Sequence, residues 1–323
     1  MLAEECAPAR VFQVYGLHLR SPWPLACPPG NGTYLAEVEV REEPPMVDGE
    51  MASNPVESPQ SRDEWFHWAR LPDGADYVRW RGLFECLVSP DGRRITTRLL
   101  NGYPSPATRT FLLSQTLSFA LLKQGLEPLH ATVIETAAEA VAFVGGCGYG
   151  QSTMAAAFLR SGARLITDDL LVLEVRDRSA PQWLAQPGFP RIKLFPDSAK
   201  ALLAARTLGE PLMPGSQKLV YPLPEHWHTQ APRPLKAIYM LAPPVASGRA
   251  GRVTITRLSK QESCMALVAN TFNPLVTDPD RLRRQFELAV MLAGSIPVKS
   301  LSYPRHLARL PGVLDAIAKD LAQ

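Results

Sequence analysis

An apolar run, Ala140-Val-Ala-Phe-Val144, passes directly into Gly145-Gly-Cys-Gly-Tyr-Gly-Gln-Ser-Thr153, and Ser152 to Arg160 then reads as a helix. Few backbones accommodate that order. Glycines let the chain curl so that successive amides face one point. The helix start adds unpaired amides and the positive end of its dipole. The reading is a phosphate-binding loop, in which a glycine, four residues and a second glycine precede Lys and Ser/Thr. Gly145, Gly150 and Ser152 fit this pattern, but Gln151 stands where the lysine belongs. Gly146, Cys147, Gly148, Tyr149 and Thr153 complete the expected nucleotide cradle.

The residues around the loop extend the pattern. Ala131-Thr-Val-Ile134 reads as a strand before it, and Arg164-Leu-Ile-Thr167 as a strand after its helix, followed at once by Asp168-Asp169. Strand, glycine loop, helix, strand and paired acids is the order of a P-loop domain. Two adjacent carboxylates there can divide the work. One accepts a proton from a hydroxyl nucleophile, and the other holds Mg²⁺ together with Ser152. Lysine at position 151 would place a point charge on the phosphates, whereas glutamine offers only a hydrogen bond. Three accounts are open. The chain is a natural pseudoenzyme, an active enzyme in which another cation such as Arg191 or Lys193 takes the lysine's place, or a Lys→Gln change made to inactivate it.

Composition narrows the rest. The chain has 323 residues, 46% of them hydrophobic, enough for one large domain or two ordinary ones. A net charge of +3 gives neither a nucleic-acid stripe nor a membrane-binding patch. Five scattered cysteines, an acidic N-terminus and the lack of an 18-residue apolar run point to a cytoplasmic protein without disulfides, signal peptide or membrane span. Residues 1–104 read as a β-rich domain, with alternating segments at 33–41, 65–68, 76–80, 84–88 and 95–100 and an exposed loop at 43–63. Residues 105–323 open with a helix over 108–123 and hold the glycine loop. Near the end, 280–293 predicts an amphipathic helix with Leu282, Phe286, Val290 and Leu292 buried and Arg281, Arg283 and Arg284 in water. Residues 296–301 predict an edge strand.

Over about residues 105–310, most strongly from His130 to Glu174 and with a weaker echo at Tyr15–Ser21, the chain resembles the HPr kinase/phosphorylase superfamily, and more closely its shorter HPr kinase-related branch of serine kinases. The likeness rests on His130, Phe143 to Thr153, Ala155 to Asp169 and the following Leu-Val-Leu-Glu. Gly188-Phe-Pro-Arg-Ile-Lys-Leu194 and Lys218-Leu-Val-Tyr-Pro-Leu223 look like recurring segments of the same branch. The resemblance implies an α/β (α+β) fold, a P-loop kinase core related to phosphoenolpyruvate carboxykinase, here with a β-rich N-terminal domain. It implies that Asp168 accepts the proton of a serine hydroxyl, that Asp169 helps hold Mg²⁺, and that His130 lies near the phosphates. Arg191, Lys193 and Lys218 become candidate contacts to phosphate or acceptor.

The expected activity is therefore ATP-dependent phosphorylation of a hydroxyl on a peptide or small molecule. The rivals are an inactive nucleotide-binding or scaffold protein and a transferase of different chemistry in the same pocket. The Glu-Ile-Arg-Gly string of the bifunctional enzymes is absent. Phosphorolysis is not expected, nor is HPr as the acceptor. The bifunctional enzymes form hexamers, which admits a homo-oligomer, though no interface motif carries over.

Overall fold

The computed structural model describes residues 10–30, 32–42, 65–177, 179–204, 209–212, 216–244 and 252–323. The chain is a mixed α/β fold of two compact units, Met1–Leu126 with Asn273–Thr277, and Glu127–Phe272 with Asp278–Gln323. The loop expected at 43–63 lies outside the described residues.

The first unit is built on seven strands: β1 (Arg10–Val14), β2 (Leu17–Ser21), β3 (Ala36–Glu42), β4 (Phe66–Arg70), β5 (Asp76–Trp80), β6 (Phe84–Val88) and β7 (Arg94–Leu99). They form one sheet in the order β1-β2-β3-β7-β6-β5-β4. Alternation decides which way each strand faces. Val38 and Val40 are buried, and the residues between and beside them lie outward. Asp91-Gly92 turns β6 into β7 with Gly92 at φ 70°, a conformation that glycine adopts freely. A helix, α1 (106–123), follows, with a π turn at Leu112–Thr116 and Ser105 as its N-cap.

The units divide at Leu126, whereas the sequence expectation was a boundary at 104. The apolar face of α1 explains the difference. Phe111 stacks on Trp80 at 3.8 Å, Phe119 stacks on Trp68 at 6.0 Å, and Lys123 reaches the buried Asp76 at 3.2 Å. The helix thus completes the core of the sheet before it. Asn273, far along the chain, joins the same unit through Gln115 and Ser118.

The second unit contains β8 (Leu129–Thr136), β9 (Glu139–Val144), α2 (Gln151–Arg160), β10 (Arg164–Thr167), β11 (Leu170–Leu171), β12 (Leu173–Arg176) and β13 (Gln182–Ala185). The chain continues through β14 (Arg191–Leu194), α3 (Pro196–Leu203), β15 (Glu210–Pro211), β16 (Leu219–Pro222) and β17 (Arg233–Leu241). It ends with β18 (Thr254–Arg257), α4 (Lys260–Ala269), α5 (Pro279–Ser295), β19 (Val298–Ser302) and α6 (Leu310–Leu321). The main sheet runs β10-β8-β9-β17-β13-β12, with β11 on β8, β19 on β17 and β18 on β19. A small sheet, β14-β16-β15, stands apart from it.

Both faces of the main sheet are covered, so β9 is apolar and buried from Ala140 to Val144. Val141 and Phe143 join Met154, Ala155 and Phe158 of α2, together with Val313 and Ile317 of α6. Ala140, Ala142 and Val144 join Leu267 of α4 with Ala289 and Leu292 of α5 on the other face. The strand predicted as an edge is internal, because β19 lies between β17 and β18.

The face expected for α5 is also corrected. Arg281, Gln285, Ala289 and Leu292 are buried, whereas Leu282, Phe286 and Val290 are 44%, 57% and 47% exposed. The helix is turned by one residue, about 100°. A buried acid causes the shift: Arg281 donates to Glu127 and to the carbonyl of Phe272. A pairwise polar contact between residues 154 apart leaves no trace in helical periodicity.

Candidate functional site

Strand direction assembles the site. Strand β17 pairs in parallel with β9 on one side and with β19 on the other, so all three end at the same edge of the sheet. Ligand sites of open α/β sheets form where parallel strands end. Here the chain leaves β9 into the glycine loop, β17 into Ala242, and β19 into Tyr303 and Arg305. Antiparallel pairing brings the start of β8 to this edge, with Ala131 opposite Val144. The end of β10, antiparallel to β8, delivers Asp168 and Asp169.

The loop is shaped by its glycines. Gly148 and Gly150 have φ 82° and 93°, in the left-handed region. Gly150 is the N-cap of α2. Any side chain on it would meet the Tyr303 hydroxyl at 3.1 Å and Arg305 Nη1 at 3.3 Å. The Tyr149 ring folds back over Gly146, and Cys147 is exposed. Gln151 is 8% exposed, and its Nε2 donates to the carbonyl of Gly145 at 2.7 Å. Its amide ties the end of the loop to its start.

Asp168 is the hub. Its Oδ1 accepts from the hydroxyls of Thr132, at 2.7 Å, and Ser152, at 2.9 Å, and its Oδ2 accepts from the amide of Lys193 at 2.9 Å. One carboxylate therefore joins β8, the first turn of α2, and β14. Thr132 was missed in the sequence because its role depends on a neighbouring strand. Asp169 follows at φ 99°, a costly backbone for a non-glycine residue. That conformation turns its carboxylate toward Lys193 Nζ, at 2.6 Å, with His130 Nε2 3.6 Å away.

Burial opposes charge on Asp169. Lys193, then His130 and Arg191, outweigh it and hold the carboxyl below its usual range. The stability that Asp169 contributes is therefore present above the ordinary carboxylate pKa, about 4, and is lost as pH falls below it. Burial pushes the His130 imidazole down, Asp169 works against that shift, and Lys193 adds to it.

The structure thus brings Ser152 to Asp168 and draws Asp169 to Lys193. Arg191 is buried, with its guanidinium 3.9 Å from the Phe189 ring centre, and its charge reaches Asp169. Lys218 is half-buried, 5.5 Å from the Phe195 ring centre, and contributes to the field at His130. Thr153 lies in the first turn of α2. Arg305 lies against Gly150 and was not singled out by sequence. Its only signal is its place just after a late strand, and the parallel pairing of that strand must be known first. A groove of about 980 Å³ lies elsewhere, lined among others by Arg160, Arg164, Leu310 and Asp315, and none of these site residues borders it.

Ser152 and the two aspartates offer hard oxygens, the ligands that Mg²⁺ prefers. No group of three or more His, Cys, Asp or Glu placed to hold a metal occurs among the described residues, so the protein oxygens would need phosphate and water to complete a shell. No helix of the described residues is long and apolar enough to cross a membrane.

No family model matches the chain, and no curated protein matches it. Among solved structures, the HPr(Ser) kinase/phosphatase from Coxiella burnetii aligns at a TM-score of 0.34 and 11% identity, over 61% of this chain and 99% of that one. This is a distant, partial likeness of fold, and it transfers no residue role.

Proposed function

We propose that this chain transfers the γ-phosphoryl group of ATP to a hydroxyl of a peptide or small molecule. The single observation that carries the reading is the hydrogen bond from Ser152 to Asp168, which joins the glycine loop to the acid pair at the edge where parallel strands end. Backbone amides of residues 146–152 would face the phosphates. Asp168 would take the acceptor's proton as its oxygen attacks the γ-phosphorus. The bond to the bridging oxygen then breaks, and ADP leaves. Ser152 and Asp169 would hold Mg²⁺, which when bound would supply positive charge to the phosphates. Lys193 keeps Asp169 charged and positioned.

The second reading is nucleotide binding without transfer, in a scaffold protein. Gln151 speaks for it, since its amide is spent on Gly145 and brings no charge. Labelled phosphate transfer from ATP to a library of serine peptides separates the two. The kinase reading expects label on at least one peptide with Mg²⁺ present. Magnesium-dependent nucleotide binding with no label transferred, by this chain or by Gln151→Lys, favours the scaffold.

A further inference from the structure

The charge missing at position 151 has a candidate source in the same edge of the sheet. Arg305 follows β19, and its Nη2 donates to the carbonyl of Ala242, just past β17, at 2.5 Å. Its guanidinium carbon lies 3.9 Å from the centre of the Tyr303 ring. These contacts aim it at the loop, so that Nη1 lies 3.3 Å from where a Gly150 side chain would begin.

Two features of that position are costly as they stand. Nε and Nη1 are buried and make no hydrogen bond of normal geometry among the described residues, although the Tyr303 hydroxyl lies near enough to feel the guanidinium. Native proteins leave few such donors unmatched. The cation also lies beside the N-terminus of α2, the positive end of a helix dipole, where a negative charge is the favoured neighbour. A carbonyl and an aromatic ring hold Arg305 in place, but neither neutralises it. An anion seated in the loop would match both donors, the dipole and the charge together.

We propose that Arg305 supplies, from the end of β19, the cation that binds a nucleotide phosphate in place of the lysine replaced by Gln151. This rests on the nucleotide reading above and adds one residue to it. It also gives Gln151 a separate task. Freed from charge neutralisation, it closes the loop through Gly145.

Titrating a non-hydrolysable ATP analogue with Mg²⁺ into the full chain and its variants tests the proposal. Arg305→Gln retains an amide donor for Ala242 and a stem over Tyr303, so the fold has support while the charge is gone. Binding should weaken about 10- to 100-fold, the loss expected when a charged hydrogen-bonding group is removed. Gln151→Lys placed in that variant should restore affinity to within about threefold, since a P-loop lysine reaches the same phosphates. That rescue cannot come from a misfolded chain. Arg305→Lys should fall between, because it keeps charge and loses the planar fork. If Arg305→Gln binds as tightly as the parent, the assignment of Arg305 is overturned and the kinase reading stands. A folded Arg305→Gln chain that Gln151→Lys fails to rescue also overturns it. If the parent itself binds no nucleotide, both fall.

Discussion

Asp168→Asn is expected to lower phosphoryl transfer by about 10²- to 10⁴-fold, the usual contribution of a general base, with little loss of stability. The two halves of that expectation come from one geometry. Two of the three donors to Asp168 are hydroxyls, from Thr132 and Ser152, and the third is the fixed amide of Lys193. Asparagine can turn its carbonyl to the amide and its NH₂ to the hydroxyls, which rotate and accept as readily as they donate. The hub survives, but the proton acceptor does not. Asp168→Ala differs, because it leaves all three donors unmatched in a buried site and should cost about 2–4 kcal/mol of stability. Transfer rates and urea denaturation of both variants check the pair. Undiminished transfer by Asp168→Asn would make Asp168 a structural residue only.

The largest stability effect is expected at Arg281. Its side chain is 1% exposed, Nη2 donates to the Phe272 carbonyl at 2.7 Å, and Nε lies 3.3 Å from Glu127. Breaking such a pair strands the buried partner, so Arg281→Ala should cost about 3–5 kcal/mol. Arg284 also reaches Glu127, at 3.2 Å, but its side chain is 34% exposed. Its loss should cost about 1 kcal/mol or less, as for an ordinary surface pair. The pH dependence separates this pair from simple packing. Burial raises the Glu127 carboxyl, and Arg281 and Arg284 pull it back. Without Arg281 it rises further. The Arg281→Ala deficit should therefore be largest at neutral pH and shrink on acidification, as Glu127 takes a proton and its stranded charge disappears. Denaturation at pH 7 and pH 5 reads this directly, and a deficit independent of pH would assign the effect to lost volume.

The elements of the candidate site were legible where the signal was local. Glycine loop, helix, strand and acid pair follow one another within 30 residues, and their conformations are dictated by neighbours in the chain. The strands at 76–80 and 84–88 were legible for the same reason, since alternation is a local property. Long-range polar contacts were not legible. Glu127 turned α5 away from the face that its leucines and phenylalanine suggested. The burial of α1 against Trp68 and Trp80 moved the unit boundary past the helix. Arg305 stands 154 positions after Gln151, and only the parallel pairing of β9, β17 and β19 brings them to one edge. Sequence left the source of the missing charge open among Arg191, Lys193 and Lys218. Geometry commits Lys193 to Asp169 and lays Arg191 over Phe189.

The most direct measurement is calorimetric titration of the unaltered chain with a non-hydrolysable ATP analogue, with Mg²⁺ and then with a chelator. A phosphate site built from this loop, Ser152 and the acid pair should give one saturable event in the micromolar to millimolar range typical of enzyme substrates, weakened at least about tenfold when Mg²⁺ is removed. No saturable heat with nucleotide at about 1 mM, the weak end of that range, with or without Mg²⁺, would contradict a nucleotide site at this edge of the sheet.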